Sequence, residues 1–316
     1  MGRKTVRAHK VKQSFLYICL MKVHFLLIIA GIFLAFQSMG SMKPDSLVRK
    51  WKQEFTTGIN LNQSSFSDNW KGGGTNTFAT GWYLNHSASV QNNSWRLASD
   101  LQMQVGFLQN RTQSLRKNVD RIFYEFKAGY RISPKWDYYG STNFQTQFFQ
   151  GFEYNKKNSA GIPVDSLTSS IFAPAYLTTS MGFEYHPQKA FYTRFGIGSL
   201  RQTFVLDERI SRAGLYGLKK PGDNIRNQFV FQFLANVDKN IFENVNLKAR
   251  YSALIDYFRF GVSNGIVHRF DANLTMKVNK YLSTNVQAVL FRDYDQDPNW
   301  QFSQILSMGL LYKITR

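Results

Sequence analysis

The chain has little cysteine, little proline and no long hydrophobic run. Its 316 residues include one cysteine, Cys19, and seven prolines. One cysteine excludes an internal disulfide and any site that needs several thiolates. The longest apolar stretch, residues 23–36, is too short for a transmembrane helix, which needs about 20 residues. Aromatic residues are abundant, with 28 Phe, 16 Tyr and 6 Trp, and this excess favours strands.

Residues 1–40 differ in composition from the rest of the chain. They contain six lysines and arginines, no acid, the apolar stretch 23–36 and small residues at Ser38 and Gly40. This pattern predicts a secretory signal peptide over residues 1–40, with a possible extra n-region because either Met1 or Met21 could be the start. Without it, 33 Lys and Arg stand against 20 Asp and Glu, a net charge of +13. The basic residues are scattered, which predicts no nucleic-acid partner and favours a membrane-surface or lumen role.

Apolar and polar residues alternate along the chain after residue 53, as in half-buried strands. Residues 95–107, WRLASDLQMQVGF, show one apolar and one polar face. The same pattern predicts twelve strands at 53–61, 75–91, 95–107, 120–132, 136–149, 175–185, 190–205, 225–239, 245–257, 266–278, 282–292 and 300–315. Eight glycines fall on the polar phase of these strands, namely Gly58, Gly81, Gly106, Gly129, Gly182, Gly196, Gly198 and Gly309.

The connections between these strands alternate between short turns and longer loops. Segments such as NNS and SPK lie on one side, and the loops 150–174 and 206–224 lie on the other. Trp95 and Trp136 begin strands on the short-turn side, as in an interfacial aromatic girdle. This layout predicts an all-β fold, a transmembrane antiparallel β-barrel of about 12 strands in the bacterial outer membrane. The barrel is assigned to residues 53–316 and a short periplasmic segment to residues 41–52.

Four blocks carry a resemblance to a known family. They are LNQSSFSDNWKGGGTN, FAPAYLTTSMGFEY, NVNLKARYSALIDY and KVNKYLSTNVQAVLFRDYD. Together they resemble an outer-membrane β-barrel family of Bacteroidota that is known only as a domain of unknown function. The resemblance covers most of the chain from about Trp51, and it implies a location and an architecture without implying a reaction.

Charged residues on the polar phase are predicted to face the lumen. The lumen-lining candidates are Arg96, Asp100, Arg121, Glu125, Lys127, Arg250, Arg269 and Asp271. Two interpretations stay open. These residues form a salt-bridge network that fills a narrow barrel, or they line a constricted pore that selects small polar or anionic solutes.

The sequence offers little for catalysis or for a cofactor. His86 and His268 fall on the apolar phase, but at opposite heights, and no serine lies in a G-x-S-x-G motif, which disfavours a lipid hydrolase. No histidine pair has ligand spacing, so we predict no metal, no cofactor and no enzyme activity. Asp293, Asp295 and Asp297 alternate in a predicted turn, interpreted as a solvated turn, with a weak cation site as the alternative.

The segment NWKGGGTN, which contains Trp70, Gly72, Gly73 and Gly74, is predicted to form a rim loop between the first two strands. A phosphate-binding loop would place its lysine after the glycines and continue into a helix, whereas Lys71 precedes them and a strand follows.

The favoured hypothesis is a narrow pore or binding barrel for small polar or anionic solutes, with outer-membrane lipid around it. The alternative is a structural barrel with a closed lumen, whose long loops 150–174 and 206–224 dock another envelope protein.

Overall fold

The computed structural model describes residues 51–64, 77–110, 113–157, 161–260, 265–279 and 281–315. The predicted rim residues Trp70, Gly72, Gly73 and Gly74 and the predicted signal peptide lie outside these ranges. No helix in the described part of the chain is long and apolar enough to cross a membrane.

The described residues form fourteen strands and one short α-helix. The strands are β1 (Lys52–Ser64), β2 (Thr77–Gln91), β3 (Trp95–Asn110), β4 (Gln113–Ser133), β5 (Trp136–Thr146), β6 (Gly151–Lys157), β7 (Pro163–Ser169), β8 (Ala175–Gln188), β9 (Phe191–Phe204), β10 (Ile225–Phe242), β11 (Val245–Asp256), β12 (Ile266–Lys277), β13 (Leu282–Asp293) and β14 (Asp297–Thr315). The helix is α1 (Glu208–Arg212), and two 3-10 turns span Leu215–Gly217 and Tyr257–Arg259.

Twelve of these strands close into one antiparallel barrel. Each barrel strand pairs with its neighbours in sequence, β5 pairs with β8, and β1 pairs with β14 to complete the circle. The predicted twelve-stranded antiparallel barrel is therefore confirmed. Closure matters because it leaves no unpaired sheet edge, which is the condition for a sheet to cross lipid.

The outer surface of the barrel is apolar because alternate residues of each strand point outward. On β14 the exposed residues Leu306, Met308 and Leu310 share one face. Aromatic pairs lie at the short-turn ends, where Trp95 packs on Tyr130 with ring centroids 4.9 Å apart. An exposed apolar wall with aromatic residues at its edge is suited to contact with lipid.

A β-bulge in β9 changes which residues face the lumen. Gly196 of β9 pairs with Gln232 of β10, and Ser199 of β9 pairs with Val230 of β10. Between these two pairs β9 advances by three residues and β10 by two, so β9 contains one extra residue. The extra residue shifts the alternation. Gly198, which strict alternation places on the polar phase, therefore lies opposite the exposed Met181, and Arg201 points inward instead. The assignment of Gly198 was wrong for this reason.

The long connection 147–174 contains the hairpin of β6 and β7, which the sequence analysis treated as a loop. The Asp120 carboxylate on β4 fixes the start of this connection. Its two oxygens accept the backbone N–H groups of Phe148 and Phe149, each at 2.8 Å, and Lys117 Nζ lies 3.1 Å from it. A buried carboxylate that satisfies two backbone donors holds the segment against the barrel.

Replacing Asp120 with alanine is expected to loosen this connection. Two backbone donors would lose a charged partner, so protease cleavage within residues 147–174 should become about tenfold faster. Limited proteolysis with mass spectrometry of the fragments measures the rate. Glu153→Ala is the matched control, because Glu153 is exposed and forms a local ion pair with Lys156. Equal cleavage rates for both variants would show that Asp120 does not anchor the hairpin.

Candidate functional site

Inward-facing charges are brought together by the register of the barrel strands. Asp100 of β3 lies opposite Glu125 of β4, and Ala98 lies opposite Lys127. Arg250 of β11 lies opposite Asp271 of β12. The alternation therefore directs a set of widely separated charges into one enclosed space.

Glu184 of β8 is the centre of the largest ion cluster. Its Oε1 lies 2.6 Å from Lys127 Nζ, and its Oε2 accepts from Arg194 Nε at 2.5 Å. The side chain is 1% exposed. A carboxylate removed from water in this way is stable only when cations and hydrogen bonds compensate for its lost hydration.

Arg194 and Arg250 extend this cluster across the lumen to Glu125. Arg194, on β9, reaches Glu125 Oε1 on β4 at 2.5 Å, and Arg250 lies 3.5 Å from Oε2 of the same carboxylate. Glu125 therefore ties β4 to β9 and β11 on other parts of the wall. These contacts narrow the lumen near its middle.

Three ligand-type residues, Asp137, Glu184 and His186, also meet in this cluster. Their oxygen and nitrogen atoms lie within 4.8 Å of one another, a spacing compatible with metal binding. However, Arg96 occupies the space between them, with NH1 3.0 Å from Asp137 and 2.9 Å from His186 Nε2. Arg96 and Lys127 thus bring positive charge to the two carboxylates, and these side chains form an ion cluster.

Beside the ion cluster is a cavity of about 720 Å³. Its mouth lies at the short-turn ends of the strands, where it is lined by Glu54, Lys313, Asn240, Asn246 and Lys277. It extends to mid-height, where Gln104 and Gln287 approach to 3.5 Å across the lumen. The charged lining consists of seven cations, Arg121, Lys127, Arg194, Lys248, Arg250, Lys277 and Lys313, and five carboxylates, Glu54, Asp100, Glu125, Asp238 and Asp271.

Most of these charges are already paired, and Arg121 differs from them. Among the described residues Arg121 has no carboxylate within salt-bridge distance, and its Nε is buried with no hydrogen-bond partner. Its guanidinium lies 4.9 Å from the centre of the Phe123 ring. Asn273 of β12, on the opposite side of the barrel from β4, also lines the cavity, and its buried Oδ1 lacks a partner among the described residues. A guanidinium without a carboxylate partner in the wall of a cavity can bind an anion or a polar solute.

Next to the ion cluster, side chains of β5, β8 and β10 fill part of the barrel interior. Tyr139 is fully buried and its hydroxyl lies 3.0 Å from Ser180 Oγ. It fits because Gly182 and Gly196 lie opposite, and a Cβ on Gly196 would be 2.9 Å from the Tyr139 hydroxyl. Val230 and Leu234 add buried apolar groups on β10.

The turn between β13 and β14 folds over this filled region and contacts distant strands. Asp293 lies 3.2 Å from Arg201 of β9. Asp295 lies 2.5 Å from Arg226 of β10 and 3.2 Å from Arg259. We name these five residues the upper latch. The solvated turn expected for this acidic segment was wrong, because its first two carboxylates are paired with arginines on other strands.

The connections 147–174 and 205–224 pack together into a lid on the same side. Ala173, Val205 and Ile210 are fully buried in its small apolar core. Asp207 caps α1 by accepting the Arg209 backbone N–H at 3.0 Å, and the Arg209 side chain holds the pKa of Asp207 below its usual value. Tyr216 donates to the Thr168 carbonyl at 2.6 Å, and burial raises the pKa of Tyr216 to about 12. The hydroxyl therefore remains a donor at neutral pH.

The structure places the lumen candidates in two groups. Asp100, Arg121, Glu125, Lys127, Arg250 and Asp271 line the cavity. Arg96 belongs to the ion cluster around Glu184, and Arg269 points inward and forms two 2.7 Å contacts with Asp271. Sequence analysis missed Glu184, although the inward phase assigned to Gly182, two residues earlier, indicates its direction. It missed Arg201 because of the bulge.

Known structures with similar folds are outer-membrane barrels. The translocator domain of the autotransporter NalP from Neisseria meningitidis is 12% identical, with 90% of this chain and 95% of that chain covered and a TM-score of 0.36. An outer membrane channel from Pseudomonas putida F1 is 7% identical, with 87% and 100% covered and a TM-score of 0.38. The NanC porin is 8% identical, with 83% and 99% covered and a TM-score of 0.37. Similarity at these values transfers no ligand or activity to this chain.

Comparison with curated protein sequences gives no match. A family match covers the first part of the barrel. Residues 61–152 of this twelve-stranded barrel match the family described as a protein of unknown function (DUF3078), which confirms the predicted resemblance to a domain of unknown function over that part of the chain.

Proposed function

We propose that this barrel binds a small polar or anionic solute in the lumen cavity, which the solute enters from the short-turn, periplasmic side. The observation that carries the proposal is Arg121, a cavity-lining guanidinium without a carboxylate partner among the described residues. The two interpretations that the sequence left open are each supported by a different part of the lumen. The cluster around Glu184 is a salt-bridge network, whereas the space beside Arg121 is a cavity.

The surroundings of Arg121 support a preference for anions of modest size. The cavity volume of about 720 Å³ lies in the range of small-molecule sites. The lining carries seven cations and five carboxylates, so the electrostatic potential favours negative charge. Gln104, Gln287 and Asn273 provide neutral donors and acceptors at the inner end. Such a mixture can bind the hydroxyl groups of a solute together with its acidic group.

Passage through the barrel would require movement above the cavity. The upper latch joins the β13–β14 turn to β9 and β10, and Tyr139 and Leu234 fill the barrel interior. We therefore propose a binding barrel with a gated route to the long-loop side, in place of a permanently open pore.

A matched pair of sugars tests the role of Arg121. Glucuronate and glucose have similar size and differ in one carboxylate, so isothermal titration of the purified, folded barrel in detergent compares charge at nearly constant shape. We expect wild type to prefer glucuronate and Arg121→Gln to lose about tenfold of that preference, because a charged hydrogen bond is removed.

Lys156→Gln is the control for the change of net charge, since Lys156 lies on the β6–β7 hairpin and is about half exposed. It should bind like wild type. No preference for glucuronate in wild type, or an unchanged preference in Arg121→Gln, would refute the proposal.

A structural feature also favours docking as a second candidate function. The lid exposes the apolar side chains of Ile162 and Val164 on its hairpin and of Ile171 just after the hairpin, on the long-loop side. Exposed apolar groups on a folded lid are typical of contact surfaces. Deleting the hairpin tip would then abolish co-purification of an envelope partner without changing glucuronate binding, which separates the two functions.

A further inference from the structure

A cationic and aromatic cluster lies on the lipid-facing side of β11–β14. Arg292 of β13 pairs in register with His268 of β12. The Trp300 ring centroid on β14 is 5.6 Å from the His268 ring centroid and 5.6 Å from Arg292 Cζ. We name Tyr251, His268, Arg292, Tyr294 and Trp300 the outer-wall cluster.

The position of the cluster corresponds to the membrane interface on the long-loop side. Arg292 immediately precedes the last residue of β13, and Tyr294 lies in the following turn. Toward the middle of the wall, the exposed Phe270, Leu290 and Phe302 occupy the neighbouring outward positions in register. A tyrosine and a tryptophan above such an apolar surface are typical of the level of lipid headgroups.

Arg292 is held in place but keeps free hydrogen-bond donors. Its Nε donates to the Pro298 carbonyl at 3.1 Å, and NH2 donates to the Tyr294 hydroxyl. Its Cζ also lies 4.5 Å from the centre of the Tyr294 ring. A guanidinium has five N–H donors, so three remain. In the described part of the chain, no carboxylate lies within salt-bridge distance of Arg292.

His268 adds a second hydrogen-bond donor to the outer-wall cluster. Its Nδ1 lies 2.9 Å from the Tyr251 hydroxyl. When that hydroxyl donates to Nδ1, the neutral imidazole carries its proton on Nε2. The second ring nitrogen is then an N–H donor on the same wall as Arg292. A fixed guanidinium and an imidazole N–H together suit the oxygens of a phosphate group.

We infer that the outer-wall cluster binds the phosphate group of a lipid in the outer leaflet. An arginine without a carboxylate partner on a lipid-facing wall is unfavourable unless an anion neutralises it. Headgroup phosphates lie at this depth, and the acyl chains of the same lipid would cover Phe270, Leu290 and Phe302. The charge of Arg292 and the apolar surface beside it therefore match the two parts of one lipid molecule.

Native mass spectrometry of the folded barrel in detergent, titrated with lipid A, tests this inference. The second probe is lipid A with both phosphates removed. We expect lipid A to bind wild type and Arg292→Gln to weaken that binding about tenfold, with a smaller loss for His268→Gln. Arg212→Gln is the matched control, because Arg212 is an exposed arginine on the same side of the barrel and forms an ion pair with Glu208 of its own helix.

Several outcomes would overturn the inference. Equal binding of lipid A to wild type and Arg292→Gln would remove the role of the cluster. Equal binding of the dephosphorylated lipid would exclude phosphate recognition. Competition by inorganic phosphate at the same concentration as the lipid would identify a site for the free ion instead. A heat-dependent gel shift, measured for each variant, confirms that the barrel is folded, and none of these outcomes depends on binding in the lumen.

Discussion

Replacing Glu184 with glutamine is expected to lower the free energy of unfolding by about 3–5 kcal/mol. The substitution keeps the shape of the side chain but removes the charge that neutralises Lys127 and Arg194. These two cations would remain close together in a region with little water, since Lys127 Nζ and Arg194 Nε both contact the Glu184 carboxylate. Removing one partner of a buried ion pair is costly because the remaining charge stays uncompensated.

Urea unfolding of the barrel in detergent, followed by tryptophan fluorescence, measures this loss. Glu208→Gln is the matched control, because Glu208 forms an ion pair with Arg212 on the surface of α1, where both side chains are more than 70% exposed. The control should change stability by less than about 1 kcal/mol. Adding Lys127→Met to the Glu184→Gln variant should recover part of the loss. Equal midpoints for wild type and Glu184→Gln would contradict the central role of this carboxylate.

Neutralising both acids of the upper latch is expected to open the long-loop side of the barrel. In the double variant Asp293→Asn and Asp295→Asn, the arginines at 201, 226 and 259 lose their carboxylate partners and repel one another. Losing even about 1.4 kcal/mol of cross-lumen attraction would raise the population of an open form about tenfold. Single-channel recording in a planar bilayer should then show resolved current steps, compared with rare or no steps in wild type.

Asp297→Asn provides a control in the same segment. The Asp297 side chain accepts the Asn299 backbone N–H at 2.7 Å, and it forms no ion pair among the described residues. This variant should conduct like wild type. If the double variant, confirmed as folded by its heat-dependent gel shift, shows no increase in current, the upper latch does not control passage. If wild type already conducts freely, the gated route is wrong.

The number of barrel strands and their positions along the chain could be predicted from the sequence, because both depend on local patterns. In residues 95–107 apolar and polar side chains alternate. This period of two follows from strand geometry, because successive side chains point to opposite faces of a strand. The short turns and long loops then indicate the polarity of the barrel. The hairpin β6–β7 was not predicted, because its alternation is short and lies within a segment rich in turn-forming residues.

The site was only partly predictable. Asp100, Glu125 and Arg250 follow from alternation, and all three line the cavity. Arg201 does not, because a single extra residue in β9 reverses the direction of every later side chain in that strand. Asp293 was expected in solvent because its partner, Arg201, lies four strands away in the barrel, and no local pattern indicates that contact.

The sequence by itself determined the twelve alternating strands, their order and the apolar outer wall, since these properties belong to each strand and to the connections between neighbours. Only the tertiary structure decided which charges meet across the lumen and which remain unpaired. The contact of Arg194 with Glu125, and the lack of a carboxylate partner for Arg121 among the described residues, depend on barrel closure and register. The physical reason is that side chains on opposite walls approach one another only after all twelve strands have closed, so their pairing is a property of the whole barrel.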